Sequence, residues 1–536
     1  MKNEKNITHD TTHMKHLYFN IIFAVSALWL CSIHLYAQTE TQQSDSTKSV
    51  KFMEPEDSLW YDPINGDHIH LQRLASYDSL VFVKPNALKA LAVDLGINVA
   101  VLAWDYYVQD RSYARISRSV LEDHFKRGFN WDNDSFAGNQ FAHPYHGGMF
   151  YNAAREHGLS YGVSLLYPII GSGTWEMLCE TNRPAMNDLI STGIGGAAIG
   201  EVTHRVSDIF FDDSKMGTER VVRELLGTVL NPVRGVKRIL SGEMWRVSRY
   251  RGKHIIPEPY TFSVGTGMRH FATKDKLKDG ISSPYIEFKF NYGDRFDNVH
   301  ENHPYDWFSV SLLANLSTSQ PTIGEMDIVG RIASKQIECK HNWNLDIGFY
   351  QTVKYIDHYG DVEPNSCNGN DNNYAIISEA VSFGGGLYAE HIGKRTSFTN
   401  DFILSGILFG GSNTDYYPSR RYNYCSGFSI RNHTRFALNQ HLTVGNSFYF
   451  ARQFVPDGYT SEELEHRTEC GLPINKMGDK GCTSVFMNRT YLSINIIKNL
   501  RLDMERTYFY RRSHHFYFPS VHKKSYEYKM GVIYSI

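Results

Sequence analysis

The chain of 536 residues is long enough for two or three domains, and its 55 basic residues nearly balance 57 acidic ones, for a formal charge of −2. That near neutrality gives no reason to expect nucleic acid as a partner. Aromatic residues make up 14%, high for a soluble enzyme, while a mean hydropathy of −0.39 argues against a bundle of helical membrane spans and leaves half-apolar barrel strands open.

Within residues 1–37, Lys15 and His16 precede an apolar run from Ile21 to Leu30 and then Leu35-Tyr36-Ala37. That layout predicts a cleavable secretory signal ending at Ala37, with Met14 as an alternative start. The bulky Leu28-Trp29-Leu30 before Cys31 makes a poor lipoprotein site, so no lipid anchor is expected. Residues 38–84 are polar and irregular and read as a linker. Cys470 and Cys482 bracket eleven residues of one expected loop. In an oxidising compartment they are either a disulfide or two thiols, since spacing alone does not fix connectivity. Cys179, Cys339, Cys367 and Cys425 read as singletons.

Residues 85–245 change to a helical period. Helices are expected over Leu88–Tyr107, Ser117–Arg127, His146–Glu156, Leu159–Glu180 broken near Pro168, Met186–Ser207 and Thr218–Leu230. None reads as a convincing membrane span, because Leu88–Trp104 carries Lys89 and Asp94 and the others are broken or short.

Residues 258–536 alternate between apolar and polar. About twelve strands are expected, centred near residues 265, 288, 311, 328, 349, 383, 403, 431, 446, 491, 505 and 530. From the fourth onward, short connections at Cys339–His341, Gly393, Asn439-Gln440 and Lys498-Asn499 alternate with longer ones at His358–Asn372, Gly411–Arg420, Pro456–Lys480 and Arg512–His522. Short turns on one side and loops on the other are the pattern of an outer-membrane barrel with both ends in the periplasm. Asp294–Asp306 is too long for that scheme. The expected fold is therefore α+β: an amino-terminal helical domain followed by an antiparallel transmembrane β-barrel of about 12 strands. Alternation turns Tyr526, Tyr528 and Tyr534 outward, and Arg506 falls on the lipid side. Glu287, Lys289, Arg431, Arg435, Arg501, Asp503, Glu505, Glu527 and Lys529 turn inward, either to pair with one another or to line a polar pathway.

Chemistry-bearing residues concentrate in the helical region, in Asn139-Gln140-Phe141-Ala142-His143-Pro144-Tyr145-His146-Gly147-Gly148, Ala154-Arg155, Trp175-Glu176, Pro184-Ala185-Met186-Asn187-Asp188-Leu189 and Gly200-Glu201 with His204-Arg205. These motifs resemble the Bacteroidota outer-membrane family named for domain of unknown function 3943, by motif over about residues 90–245 and by layout elsewhere. The resemblance implies a signal peptide, a helical segment and a carboxy-terminal barrel, and brings no established activity. It favours Ser where this chain has Ala185.

Gly196 and Gly200, with Gly193 a turn earlier, form a small-residue face for close packing. Glu176 with Glu180, and Glu201 with Arg205, share helix faces by i,i+4 spacing. Buried Glu–Arg or Glu–His contacts would be structural, whereas a carboxylate beside His143 or His146 would serve general acid–base chemistry. Candidates for an enzymatic site are His143, His146, Glu176, Asp188 and Glu201. Candidates for binding are Asn139, Arg155, Trp175, Asn187 and Arg205, with helix capping as the plain role for Asn187 and Asp188. No zinc-type motif appears, and no metal or other cofactor is expected.

Three functions remain open: a barrel whose helices plug or brace the periplasmic mouth and gate a small polar solute, an enzyme acting on lipid head groups at the periplasmic leaflet, and an envelope scaffold with Pro456–Lys480 as its recognition loop. The expected partners are outer-membrane lipids, with a small polar solute or an envelope protein beside them.

Overall fold

The computed structural model describes residues 59–61, 68–70, 85–247, 259–272, 280–296, 303–339, 341–359, 373–439 and 441–536. The signal, Cys367, most of the linker and the loop over 360–372 lie outside the described residues. Twelve strands form one closed antiparallel barrel: β1 Tyr260–Ala272, β2 Ile281–Tyr292, β3 Phe308–Asn315, β4 Ile323–Cys339, β5 Trp343–Tyr359, β6 Asn373–Ile392, β7 Thr396–Asn413, β8 Tyr422–Leu438, β9 Leu442–Val455, β10 Gly481–Ile497, β11 Leu500–His515 and β12 Val521–Ser535. Each strand pairs with its chain neighbour, and β12 closes on β1 from Tyr526↔Ala272 to Ser535↔Ser263. Every expected strand centre falls in its own strand. Strands run on into two of the expected loops, and β7 continues to Asn413. The strand β11 runs on to His515, which shortens the last loop. Asp294–Asp306 is as long as expected, and its described end packs: Tyr305 N–H donates to Arg331 O, and Arg331 holds Asp306 at 2.9 Å.

Alternation decides what fills the lumen. Glu527 and Lys529 stand opposite Phe271 and Arg269, and Glu505 stands opposite Lys529, so all share the inner face. There Arg269 reaches Glu527 and Glu325, Arg489 reaches Glu325, Lys529 lies 2.9 Å from Glu505 and 3.4 Å from Glu287, and Lys289 lies 3.2 Å from Glu287. Farther round, Lys354 pairs with Asp327, and Arg431 joins Asp327 to Glu379. Arg501 pairs with Asp503, while Arg435 shares their face at the short-turn end. Toward the long loops this ionic layer gives way to an apolar one of Ile356, Ile377, Ile407, Met487 and Phe509. Apart from Arg435, the expected inward charges therefore pair with one another, which a narrow twelve-strand interior allows.

Among the described residues the longer helices are α1 Ala87–Tyr107, α2 Arg118–Arg127, α3 His143–Arg155, α4 Leu166–Leu178, α5 Gly196–Phe210, α6 Gly217–Leu230 and α7 Pro232–Leu240, with α8 Ser461–Glu469 in the long β9–β10 loop. Three sequence expectations change here. The expected break near Pro168 falls at Leu165, between a short helix Tyr161–Ser164 and α4, and Pro168 itself sits in the first turn of α4, where its missing N–H costs nothing. Length and composition make α1 suitable to cross a membrane despite Lys89 and Asp94.

The third correction concerns the plug. On β5, Gln351, Val353 and Tyr355 share the face of the exposed Ile347 and Phe349, whereas Lys354 and Ile356 face the lumen. It is the outward set that the helices bury: Tyr161 donates to Gln351 at 2.9 Å, and Phe136 stacks on Tyr355 with centroids 4.8 Å apart. The domain packs on the outside of the barrel wall, because its apolar faces match the apolar outer face and the lumen is already occupied by paired charges.

Cys470 and Cys482 are separate thiols. Cys470 caps α8, with Sγ near the ring of its own-turn neighbour His466, while Cys482 is held in β10 opposite Phe454, its Sγ 3.1 Å from Arg452.

Candidate functional site

Two glycine-lined helices set the site. The helices α3 and α5 run parallel and almost touch: a Cβ on Gly196 would meet Gly147 C at 2.5 Å, and one on Gly148 would meet Gly200 N at 3.1 Å. The small-residue face expected at Gly196 and Gly200 thus packs on a matching face of α3. Each helix is entered through a π-helical turn, Gly138–Ala142 before α3 and Ser191–Gly195 before α5, and such turns re-aim side chains.

The first π turn aims Asn139 into the junction with the barrel. Its Nδ2 lies 2.7 Å from the hydroxyls of both Tyr422 and Tyr424, on the outer face at the start of β8. Tyr424 donates to Asp132 Oδ1 at 2.8 Å, and Asn187 Nδ2 faces Asp132, Asp188 and Asn139 at 2.8–3.0 Å. His143 Nε2 is 3.4 Å from Asp188 and 3.8 Å from Asp134. Behind this layer Glu176 accepts the backbone N–H of Ala185 at 2.7 Å. That contact needs no side chain at residue 185, which accommodates alanine there.

Carboxylates outnumber cations in this cluster, and that sets its proton state. Burial pushes the Asp188 carboxyl well above its usual value, reinforced by the charges of Asp132 and Glu176. Burial, followed by the adjoining Glu176, does the same to Glu180. Protonated acids beside an imidazole can donate and accept protons in turn. Among the described residues no group of three or more His, Cys, Asp and Glu side chains is arranged to hold a metal ion.

The remaining candidates divide. Arg155, Glu201 and Arg205 form a second, fully paired centre: Glu201 accepts from Arg155 at 2.9 Å, Arg205 at 2.8 Å and Tyr151 at 2.7 Å. Arg205 also donates to Pro304 O at 2.7 Å, so this centre bolts α5 to the β2–β3 connection. His146 and Trp175 meet edge to face with centroids 5.8 Å apart, in the layer between α3 and α4.

Sequence reading missed the partners that chain order separates. Tyr422, Tyr424 and Asp132 carry no motif of their own along the chain. In a third centre, of which only His204 stood among the sequence motifs, Glu156 meets His204 at 3.1 Å and Arg234 at 2.6 Å, with Arg234 also paired to Asp208. Burial there opposes the charge on Glu156, but Arg234, His204 and Lys237 outweigh it and hold the carboxyl well below its usual range.

Position along the wall corrects one more expectation. The Asn139 cluster contacts the long-loop end, where Asn133 donates to Ile474 O and Arg420 to Asp132 O, both at 2.6 Å. It therefore lies opposite the short-turn end at which an inner-leaflet site was expected.

Residues 128–233 match the domain of unknown function DUF3943. That domain is present, and it contains all three polar centres apart from Arg234 and Lys237 and the barrel tyrosines. No curated protein matches the chain. Among solved structures, the NanC porin is similar at 9% identity and a TM-score of 0.26, over 52% of this chain and 99% of that one. The KdgM porin is similar at 9% identity and 0.23, over 51% and 99%. An outer membrane channel from Pseudomonas putida F1 is similar at 9% identity and 0.28, over 52% and 97%. Likeness at that level carries no argument about solute or activity.

Proposed function

We propose that this is an outer-membrane protein, exported through a cleavable signal in a bacterium of the Bacteroidota, whose barrel is a closed anchor and whose DUF3943 helices work at the lipid boundary of the barrel wall. The observation that carries this reading is the side of the wall they occupy. Helices that bury outward-facing Gln351, Val353 and Tyr355 belong where a barrel meets lipid, and among the described residues the lumen is filled by paired charges and apolar side chains.

In this reading the Asn139, His143, Glu176, Asn187 and Asp188 cluster is the working site, and a lipid head group of the outer leaflet is the class of ligand it suits. His143 and the buried Asp188 carboxyl supply acid–base pairing, and the amides of Asn139 and Asn187 supply donors. The test compares envelope lipids from cells carrying the natural protein, His143→Ala and Asp188→Asn, with barrel folding checked by heat-modifiable migration on gels. Altered lipid species with intact folding support the reading. Unchanged lipid profiles and envelope integrity in correctly folded variants sink it.

A further inference from the structure

The helix α1 has its polarity inside out. Its buried positions are Ala90, Asp94, Asn98 and Asp105, whereas Leu88, Leu95, Val99, Trp104 and Tyr107 face outward, Val99 with 65% of its surface exposed. A helix on a water-soluble bundle turns its apolar side in and its polar side out. This one turns its polar side toward α3 and α4, where Asn98 donates to Gly171 O at 2.9 Å and Asp94 is fully buried.

Its direction and length match a membrane crossing. The first turn lies at the short-turn end, since Asn86 N–H bonds His157 O just below the Arg155–Glu201–Arg205 centre that reaches Pro304. Its last turn lies at the long-loop end, where Asp105 accepts from Tyr113 and Thr181 N–H bonds Tyr113 O. Between them are 21 residues, about 31 Å at 1.5 Å per residue, against a hydrocarbon thickness of about 30 Å. Lys89 marks the beginning, and Trp104, Tyr106 and Tyr107 cluster at the end, as aromatic residues do at a membrane–water boundary. Only 17% of its most apolar window is buried within the protein. The neighbouring α4 continues the outward apolar surface with Leu166, Ile169 and Ile170, and the bare barrel wall continues it with Phe402, Leu404 and Leu408.

We infer that α1 is a transmembrane helix lying beside the barrel, with lipid acyl chains against its Leu95–Val99 face, so that the helical bundle shares the bilayer with the strands. Its polar residues face the bundle because only there do they escape hydrocarbon. The inference rests on the outer-membrane reading above, and its test separates the two.

A nitroxide is placed at Val99→Cys or at Leu404→Cys, each in a full-length chain whose other cysteines are Ser, in phospholipid nanodiscs. Collision with oxygen and with a water-soluble nickel chelate is then measured. Both positions are expected to be open to oxygen and shielded from nickel. Nickel access at Val99 with Leu404 shielded overturns the transmembrane helix and leaves the barrel in the membrane. Shielding of Val99 from both agents means a protein contact and also overturns it. Nickel access at both positions overturns the membrane barrel as well.

Discussion

Glu201 is the residue on which the bundle's attachment turns. It is fully buried, and two guanidinium groups and the Tyr151 hydroxyl satisfy its oxygens. Removing one member of such a pair leaves a charge without compensation, which costs about 3–5 kcal/mol. Because Arg205 still faces Glu201 after Arg155→Met, that substitution is expected to destabilise the helical domain by no more than the low end of that range. Arg205→Lys is expected to cost less, because the charge survives while the bond to Pro304 O loses its geometry. Urea unfolding followed by hydrogen exchange over residues 143–210 measures both. Glu180 behaves oppositely, since its folded-state pKa is raised above the usual 4.5 by burial and by Glu176. The native state then binds a proton that the unfolded chain releases, so this residue costs stability progressively as pH rises above about 4.5. Glu180→Gln is expected to raise the melting temperature at pH 7 and to leave it unchanged at pH 3.5. An equal gain at both pH values would contradict the assignment.

Among the elements, the α3–α5 pair depends most on what its side chains lack. A Cβ at Gly147 would run into the carbonyl of Thr192, and one at Gly196 into the backbone of Gly147, so neither contact is relieved by a rotamer change. Overpacking of a tight interface usually costs about 1–3 kcal/mol. Gly147→Val and Gly196→Val are expected to exceed that range and to loosen the helices while the barrel stays folded. Heat-modifiable gel migration should be retained, and amide protection in α3 and α5 should be lost. Loss of both together would mean that the barrel cannot close without its helices. Strand order, inward charges and the glycine face were readable because each is a local period along the chain. Tyr422 and Tyr424 were not, because a strand's alternation says which side a residue faces and not which helix arrives there. Asp94 misled for a related reason: a charge in an apolar helix counts against a span until the bundle on its other side is known.

At the scale of the whole molecule the question is whether the closed circle of strands is a conduit. An ionic layer built on Arg269, Glu325, Glu527, Arg489, Lys529 and Glu505 is followed by an apolar layer built on Ile377, Ile407, Met487 and Phe509. An ion would have to break buried pairs and then shed its water, and each step opposes passage. Reconstituted protein is therefore expected to give no resolved conductance steps in a planar bilayer. Because the helices press on the outer face, deleting residues 85–245 is expected to leave the bilayer equally silent. A plug would predict the reverse. Opening should instead require change inside the wall: Met487→Ala with Phe509→Ala truncates two large side chains of the apolar layer and should admit water. Adding Arg269→Ala, which leaves Glu325 and Glu527 short of a cation, should favour cations over anions in any current that appears. A step conductance in the helix-deleted chain, with barrel migration on gels unchanged, would move the gate back to the helices and refute closure from within.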